Sequence, residues 1–582
     1  MSAPDKGGKW DALLWIILLV PVLWLAALLA GSVTPGAKLD ELLENITSSL
    51  QAPFSITWTN RTAAFLLAAV LLYGLGIAIY YSTKGNARPR EEHGSARWGN
   101  AAQVNGKYAD HKHPESNIIL TQKVKLGMDG HRHRRNLNVL VVGGSGSGKT
   151  RFHVKPNLMQ AGCSYIIADP KGETLRSVGP LLEGKGYDVK VFDLVNMAQS
   201  DAYNPLAYLR SDEDALKLVT NLIKNTTPKT AKTEDPFWEK AETALLSALI
   251  LYLLHEAPDY ERNFPMVMYL LENAGASEES EDYKSPVDLV FEALEEEHPY
   301  HIAVRQYKVF RQAAGRTVKS ILVSAAVRLA AFNLDGIARI TSRDDMDLAS
   351  LGERKRAIFC VIPDNDASFN YLVGMLYTQS FQELYYRADR IHGGRLPVHV
   401  RLLMDEFANV ALPDDFERIL STCRSREISI SIIIQNMAQL KALFDKSWEN
   451  VTGNCDTLLY LGGNEQSTHE YISKMLGKAT IDTRTRGLTK GRNGSSSENF
   501  QNAGRELLTP DEVRMLDNAY ALLFIRGERP IVDKKYDLMK HPAIRLTEDG
   551  GAEPYARASV SYEQSDLSTP YESLEDIEVI EP

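Results

Sequence analysis

A chain of 582 residues is several times longer than one ordinary domain, so two or three folded units are expected. Hydrophobic residues make up 44% of it, as in an ordinary globular protein, and the net charge of -10 excludes a generally basic nucleic-acid coat protein. It does not exclude a ring-shaped protein whose lumen alone is basic. Its four cysteines form no CxxC pair, so the sequence gives no indication of a disulfide framework or a zinc site.

Two uncharged apolar runs, residues 13–30 and 63–81, lie near the N-terminus. A bilayer core of about 30 Å needs roughly 20 helical residues, so both runs are long enough to span it. A cleaved signal peptide is the alternative for the first run. It is disfavoured because the run continues past Pro21 without a small-residue cleavage site, and because a second span follows. We therefore predict an N-terminal membrane anchor over residues 1–83.

Basic residues are more frequent outside this pair of runs than between them. Those outside are Lys6, Lys9, Lys84, Arg88 and Arg90. Only Lys38 and Arg61 lie between the runs. The positive-inside rule then predicts that both chain ends are cytoplasmic and that residues 31–62 form a short outside loop.

A nucleotide motif follows a short apolar strand predicted at residues 138–142. The motif fits GxxxxGK[ST] and consists of Gly143, Gly144, Ser145, Gly146, Ser147, Gly148, Lys149 and Thr150. Its glycines let backbone N–H groups surround phosphates, its lysine neutralises the β- and γ-phosphates, and its threonine hydroxyl ligates Mg²⁺. ATP and Mg²⁺ are the predicted ligands.

Acidic partners for this motif are expected at the tip of another strand. The strand predicted at residues 398–404 ends in Asp405 and Glu406. We expect Asp405 to hold Mg²⁺ through water and Glu406 to act as general base on the attacking water. The strand at residues 428–434 ends in Gln435, which is placed to sense the γ-phosphate, although a simple strand-ending amide is the alternative.

An arginine between these strands has two readings. Arg424 could reach the nucleotide of a neighbouring subunit and stabilise charge on the transferred phosphoryl group. The alternative is a solvated helix face. The residues alone leave both open.

The spacing of strands and helices predicts a divided core. Further strands are predicted at residues 166–169 and 189–192, a helical pattern covers residues 204–333, and a strand resumes at 357–362. This indicates an all-α domain, 204–333, inserted into a parallel α/β core made of residues 84–203 and 334–545.

Two segments carry charge without a defined site. Residues 482–505 contain Arg484, Arg486, Lys490 and Arg492 among Gly, Ser and Asn, which predicts a flexible surface loop or, alternatively, a lining of a DNA path. Residues 546–582 hold ten acidic residues and one arginine, which predicts a disordered tail.

Several motifs outside the nucleotide site resemble those of the type IV coupling proteins, the conjugative DNA-transfer ATPases of type IV secretion systems. They are HGSARW at 93–98, DPKGE at 169–173, NPL at 204–206, DPFWE at 235–239, GN at 463–464 with Thr468, LG at 476–477, LL at 507–508 with DE at 511–512, and RGERP at 526–530. The resemblance extends to about residue 540.

This resemblance implies a RecA-like P-loop ATPase core and a homo-hexamer at the bacterial inner or plasma membrane. It further implies substrate DNA, single- or double-stranded, with a relaxase, or effector proteins, and components of a type IV secretion channel as partners. Arg424 matches the family's trans-acting arginine. The resemblance does not decide between nucleoprotein and effector substrates.

Two other functions remain as alternatives. A septal-type double-stranded DNA translocase is disfavoured because that class has more spans and a winged-helix C-terminal domain. A nucleotide-gated substrate receptor that does not pump is disfavoured by Glu406 and Gln435, since a pure binder does not need to position a water.

Overall fold

The structure is a computed structural model and describes residues 7–33, 36, 38–83, 91–226, 236–275, 283–313, 315–363, 366, 368–410, 412–413, 415–488 and 496–557. The chain forms two compact units: residues 1–95 with 480–504, and residues 96–479 with 505–582.

The strands are β1 Asn117–Ile119, β2 Lys125–Gly127, β3 Val139–Val142, β4 Ser164–Pro170, β5 Asp188–Asp193, β6 Arg356–Ile362, β7 Val400–Met404, β8 Ile428–Ile434, β9 Thr457–Tyr460, β10 Lys478–Leu488, β11 Ser496–Glu506, β12 Tyr520–Ile525 and β13 Ile531–Lys534. The helices are α1 Gly7–Ser32, α2 Leu39–Gln51, α3 Thr62–Thr83, α4 Ala101–Tyr108, α5 Gly130–His133, α6 Lys155–Met159, α7 Glu173–Gly184, α8 Asp212–Thr226, α9 Pro236–Glu256, α10 Phe264–Glu272, α11 Pro286–Glu297, α12 Ile302–Arg311, α13 Gly315–Leu329, α14 Asp335–Thr341, α15 Asn370–Tyr386, α16 Phe416–Thr422, α17 Met437–Phe444, α18 Trp448–Gly453, α19 Gln466–Leu476 and α20 Pro510–Arg514.

The first unit contains two long apolar helices that pack together, α1 and α3. Their segments Leu13–Ser32 and Thr62–Ser82 are long and apolar enough to cross a membrane, as predicted. Near one end of the pair, the Tyr73 hydroxyl donates to the Trp15 carbonyl at 2.7 Å and the Trp15 and Tyr80 rings meet edge to face. Such amphipathic rings suit a membrane interface. The segment predicted as a plain loop between the spans contains the helix α2.

The basic segment at 482–505 is not simply a loop. Most of it belongs to β10 and β11, which form a two-stranded sheet within the first unit. The run of Gly, Ser and Asn masked its strand character. The tip at 489–495, which includes Lys490 and Arg492, lies outside the described residues.

The second unit is built on a sheet whose strand order, within the described residues, is β13-β12-β9-β3-β8-β7-β4-β6-β5. All neighbours from β9 to β5 pair in parallel, whereas β12 is antiparallel to both β9 and β13. The predicted parallel α/β core is therefore confirmed, and the antiparallel edge formed by β12 and β13 was not predicted. The chain leaves β9, passes through α19, β10, β11 and α20, and returns as β12, which pairs antiparallel with β9. Apolar runs alone do not distinguish parallel from antiparallel pairing.

Both faces of this sheet are covered, so its central strands β3, β7 and β8 are buried along their whole length and are mostly apolar. In β3, Leu140 and Val142 belong to one core cluster and Val139 and Val141 to the other. This alternation follows from the two-residue period of a strand. The strand tips are left to carry the polar residues.

Among the described residues, the region predicted as an inserted helical domain contains the helices α8 to α14 and lies within the same compact unit as the sheet. Its last helix ends at Thr341, beyond the predicted boundary at 333. The Phe264 and Phe332 rings stack at 4.2 Å, and a buried ion pair joins Glu242 of α9 to Arg328 of α13 at 2.7 Å. The bent pair α13 and α14 is apolar enough to pass as a span, but its buried apolar residues belong to the core cluster that the helices share with the sheet.

The predicted disordered tail begins too early at residue 546. Thr547 is fully buried, Asp549 pairs with Lys155 at 2.6 Å, and the Tyr555 N–H donates to the Arg176 carbonyl at 2.8 Å. These contacts fix residues 546–557 against α6 and α7. Residues 558–582 lie outside the described residues.

Candidate nucleotide site

The phosphate-binding loop lies between β3 and a π-helical turn, Thr150–Val154, that leads into α6. Gly146 and Gly148 adopt φ values of 75° and 83°, which side chains other than glycine strongly disfavour. The Gly143 N–H donates to the Ile434 carbonyl at 3.1 Å, and the Gly144 N–H donates to the Gly462 carbonyl at 2.9 Å. The start of the loop is thus tied to the tips of β8 and β9.

The loop has the features of a phosphate cradle. A Cβ at Gly148 would lie 2.4 Å from the Phe152 ring, so only glycine fits beneath the loop. The Ser147 hydroxyl is buried and has no hydrogen-bond partner in the described chain. Lys149 is only 8% exposed, and its ammonium lies 3.8 Å from a Glu406 carboxylate oxygen. A buried cation and glycine-freed N–H groups suit a polyphosphate ligand.

Four strand tips meet at this edge because β3, β8, β7 and β4 are consecutive in the sheet. They carry the phosphate loop, Gln435, Asp405 with Glu406, and Asp169 respectively. Carboxyl ends of parallel strands share one edge, so residues far apart in sequence converge there.

Thr150 and Asp405 form the candidate Mg²⁺ site. The Thr150 hydroxyl donates to Asp405 Oδ2 at 2.7 Å, and Asp405 is only 5% exposed. Burial raises the pKa of Asp405, while the bond from Thr150 opposes the increase. A buried carboxylate beside a hydroxyl is a set of hard oxygen donors, so these residues fit Mg²⁺.

Glu406 and Gln435 are directly joined. The Gln435 amide donates to the two Glu406 carboxylate oxygens at 3.0 and 3.3 Å. Glu406 has φ 49°, a strained conformation for a residue with a side chain. This backbone turn directs Glu406 away from Asp405 and toward Lys149 and Gln435.

Arg424 is not part of this cluster. It lies in a 3₁₀ turn, Cys423–Arg426, and its guanidinium donates to the Gly130 carbonyl at 3.1 Å. Among the described residues it has no hydrogen bond or ion pair with the phosphate loop, Glu406 or Gln435. A role at the nucleotide of the same chain therefore has no support from its contacts.

Two further residues belong to the surroundings of the site. Asp169 accepts from the N–H groups of Thr174 and Leu175 at 2.9 and 2.7 Å, and burial raises its pKa to about 6. Lys535, which the sequence reasoning missed, donates to the Ser147 carbonyl. The two-residue period of β13 could have revealed it. Ile531 and Asp533 face the buried side of this strand, and Lys535, the next residue in the same alternation, does so too.

Comparisons with known proteins agree with this geometry. A family model described as type IV secretory system conjugative DNA transfer matches residues 95–552. Protein VirD4 of Rhizobium radiobacter is 25% identical over 411 residues, which cover 68% of this chain and 56% of that protein. Conjugal transfer protein TraG of Escherichia coli is 25% identical over 510 residues, or 79% of each chain. This chain thus spans little more than half of the first relative.

The fold is also found among solved structures. The plasmid coupling protein TrwB in complex with the ATP analogue ADPNP matches with a TM-score of 0.54 and 15% identity, covering 77% of this chain and 95% of that one. The complex of TrwB with ADP and Mg²⁺ matches with a TM-score of 0.53 and 16% identity, covering 78% and 96%. At these identities the likeness is one of fold.

Proposed function

Because this chain belongs to the type IV secretory system conjugative DNA transfer family, we propose that it is a membrane-embedded ATPase that drives substrate into a type IV secretion channel. The substrate is DNA bound to a relaxase, an effector protein, or both. One observation carries the proposal: Thr150, Asp405, Lys149, Glu406 and Gln435 meet at one sheet edge, with Thr150 2.7 Å from Asp405 and Gln435 3.0 Å from Glu406.

The residues divide into binding and chemical roles. The loop N–H groups and Lys149 would hold the phosphates of ATP, and Thr150 with Asp405, through water, would hold Mg²⁺. Bound Mg²⁺ supplies positive charge that offsets the charge of the phosphate oxygens. The TrwB complexes with ADPNP and with ADP and Mg²⁺ support this choice of ligands.

Glu406 is the proposed general base. Its carboxylate takes a proton from the attacking water, and Gln435 holds that carboxylate in place through two amide hydrogen bonds. The Lys149 ammonium lies 3.8 Å from a Glu406 carboxylate oxygen, between the proposed base and the phosphate loop. Gln435 is also proposed to sense the γ-phosphate, because it directly follows β8 and contacts Glu406.

Arg424 is proposed to act on a neighbouring subunit. Its separation from the phosphate loop of its own chain is what a trans-acting arginine requires, and its guanidinium can stabilise charge on a transferred phosphoryl group. We propose a homo-hexamer on this basis and on family membership. Arg424→Ala subunits mixed with Lys149→Ala subunits should recover part of the activity, because some interfaces then contain both residues.

The anchor supports a location at the bacterial inner or plasma membrane. Segments Leu13–Ser32 and Thr62–Ser82 would cross the bilayer, with both chain ends in the cytoplasm by the positive-inside rule. Cytoplasmic placement gives the nucleotide site access to ATP, and the membrane places it beside the channel components with which it is proposed to act.

The deciding experiment measures ATP hydrolysis by the full-length protein in detergent, with and without single- or double-stranded DNA. Lys149→Ala and Glu406→Gln should each lower the rate by about 100-fold or more, since each removes a group that acts on the reacting phosphates or water. Lys534→Ala and Glu297→Gln change exposed residues of the same types and should retain the rate.

DNA-stimulated hydrolysis that both site variants abolish would support the proposal. Nucleotide binding without turnover under any of these conditions would contradict it and favour a receptor that does not pump. Hydrolysis that survives Glu406→Gln would remove Glu406 from the role of base.

A further inference from the structure

A second lysine lies beneath the phosphate loop. Lys535 follows the last residue of β13 and is only 5% exposed. Its ammonium donates to the Ser147 carbonyl at 3.0 Å and to the Asn518 side-chain oxygen at 2.7 Å. It also lies 5.2 Å from the centre of the Phe152 ring, on the first turn after the loop.

This lysine differs from the two others near the loop. Lys155 pairs with Asp549 at 2.6 Å, and Lys149 lies 3.8 Å from Glu406. Within the part of the chain that the structure describes, Lys535 pairs with no carboxylate. A buried cation without an ion-pair partner is costly, and burial lowers the pKa of Lys535 to about 8, although the attraction of the Asp517 carboxylate opposes the decrease. The cost calls for a compensating anion at the site.

The geometry of the peptide bond indicates where that anion lies. In a planar trans peptide the C=O and N–H point in opposite directions. Since the Ser147 carbonyl faces Lys535, the N–H of Gly148 faces away from Lys535, toward the side of the loop where phosphates bind in this motif. A cation on the carbonyl polarises the peptide and makes its N–H a stronger donor.

We infer that Lys535 is a positioning residue of the nucleotide site: it holds the Ser147–Gly148 peptide with its N–H turned toward the phosphates and strengthens that donor. The phosphate groups of the bound nucleotide supply negative charge in addition to that of Asp517. Lys535 acts through the loop backbone and does not touch the nucleotide. The inference rests on the proposed function, because it takes the loop to bind a nucleotide.

The test uses the full-length protein in detergent and measures the dissociation constants of ADP and of a non-hydrolysable ATP analogue, with Mg²⁺. Lys535→Met removes the charge and the donor at similar length. It should weaken binding about tenfold or more, the usual effect of losing a hydrogen bond to a charged group. With ATP, KM should rise while kcat at saturation is retained, because Glu406 and Gln435 are untouched.

Three further variants separate charge from packing. Lys535→Arg keeps the charge and should recover much of the affinity, whereas Lys535→Gln keeps a donor without charge and should not. Lys534→Met changes the exposed neighbour in the same strand and should bind as the wild type does. Lys535→Gln also serves if Lys535→Met does not fold.

Wild-type affinity in Lys535→Met, or equal losses in Lys535→Arg and Lys535→Met, would overturn the inference, since only packing would then matter. The Lys149→Ala protein is measured alongside. If the wild type binds nucleotide no better than Lys149→Ala, the nucleotide site itself fails, and the inference falls with the proposed function.

Discussion

Gln435→Glu is predicted to change the pH dependence of ATP hydrolysis. The substitution preserves the shape of the side chain but places a second carboxylate where the amide now lies, 3.0 Å from Glu406. Two like charges at that distance repel by about 5.5 kcal/mol at an effective dielectric of about 20, and by about 1.4 kcal/mol in bulk water. Since 1.36 kcal/mol corresponds to one pH unit, this repulsion should shift the titration of the carboxylate pair by about one to four pH units.

The pair of carboxylates should therefore share a proton at a pH where the wild-type base is free. The acid limb of the kcat/KM profile should move upward by about one to four pH units, the wide range reflecting partial exposure of the pair. The assay is steady-state hydrolysis of ATP by full-length protein between pH 5 and about pH 9, in the presence of the DNA that stimulates the wild type best.

Gln435→Leu is the matched control, because it removes the amide hydrogen bonds without adding charge. It should lower the rate and move the acid limb upward by less than Gln435→Glu does, because it removes two donors to the carboxylate but adds no like charge. A Gln435→Glu profile that overlays the wild-type profile would refute the reasoning, since it would mean that Glu406 is not the titrating base or that the contact with Gln435 does not persist during turnover.

Two other substitutions test the loop and its buried neighbour. Gly148→Ala should weaken ADP binding at least about tenfold, because alanine disfavours φ 83° by about 1–2 kcal/mol and its Cβ would clash with the Phe152 ring. The control is Gly184→Ala, which should bind ADP as the wild type does because a Cβ at Gly184 meets open space. Equal ADP affinities in the two variants would contradict the expectation. Asp169 has its pKa raised from 3.8 to about 6 in the folded protein, so the stability it contributes is complete below about pH 4 and is lost as pH rises through about 6. Relative to the wild type, the Tm of Asp169→Asn should therefore increase between pH 4 and about pH 7, and a difference that does not vary with pH would exclude this titration.

Local patterns determined much of the fold and most of the site. The conformation of the eight-residue loop, Gly143 to Thr150, could be predicted from its own sequence. Its glycines permit the positive φ values and the close approach to Phe152, which lies only four residues after Gly148. The two apolar runs were readable because a membrane span needs one uninterrupted segment. Asp405, Glu406 and Gln435 were found because each follows a strand that is mostly apolar.

Where a strand pairs was not readable from its own residues. The antiparallel strands β12 and β13, and the hairpin of β10 and β11, have short apolar or mixed patterns that a loop can share. Of these pairings, only that of β12 with β9 joins distant parts of the chain, and it sets the antiparallel edge of the sheet. The packing of residues 546–557 was missed for the same reason: their acidic composition suggested solvent, but Asp549 and Tyr555 find specific partners on α6 and α7.

The sequence by itself thus determined which residues carry phosphate-binding and acidic chemistry, because that information lies within single strands and turns. Only the tertiary structure decided how they meet: Thr150 with Asp405 across 255 positions, Glu406 with Gln435 across 29, and Lys535 with Ser147 across 388. The reason is physical. Strand order is set by long-range pairing and by which apolar faces the helices cover, and neither quantity is expressed in the local period of a sequence.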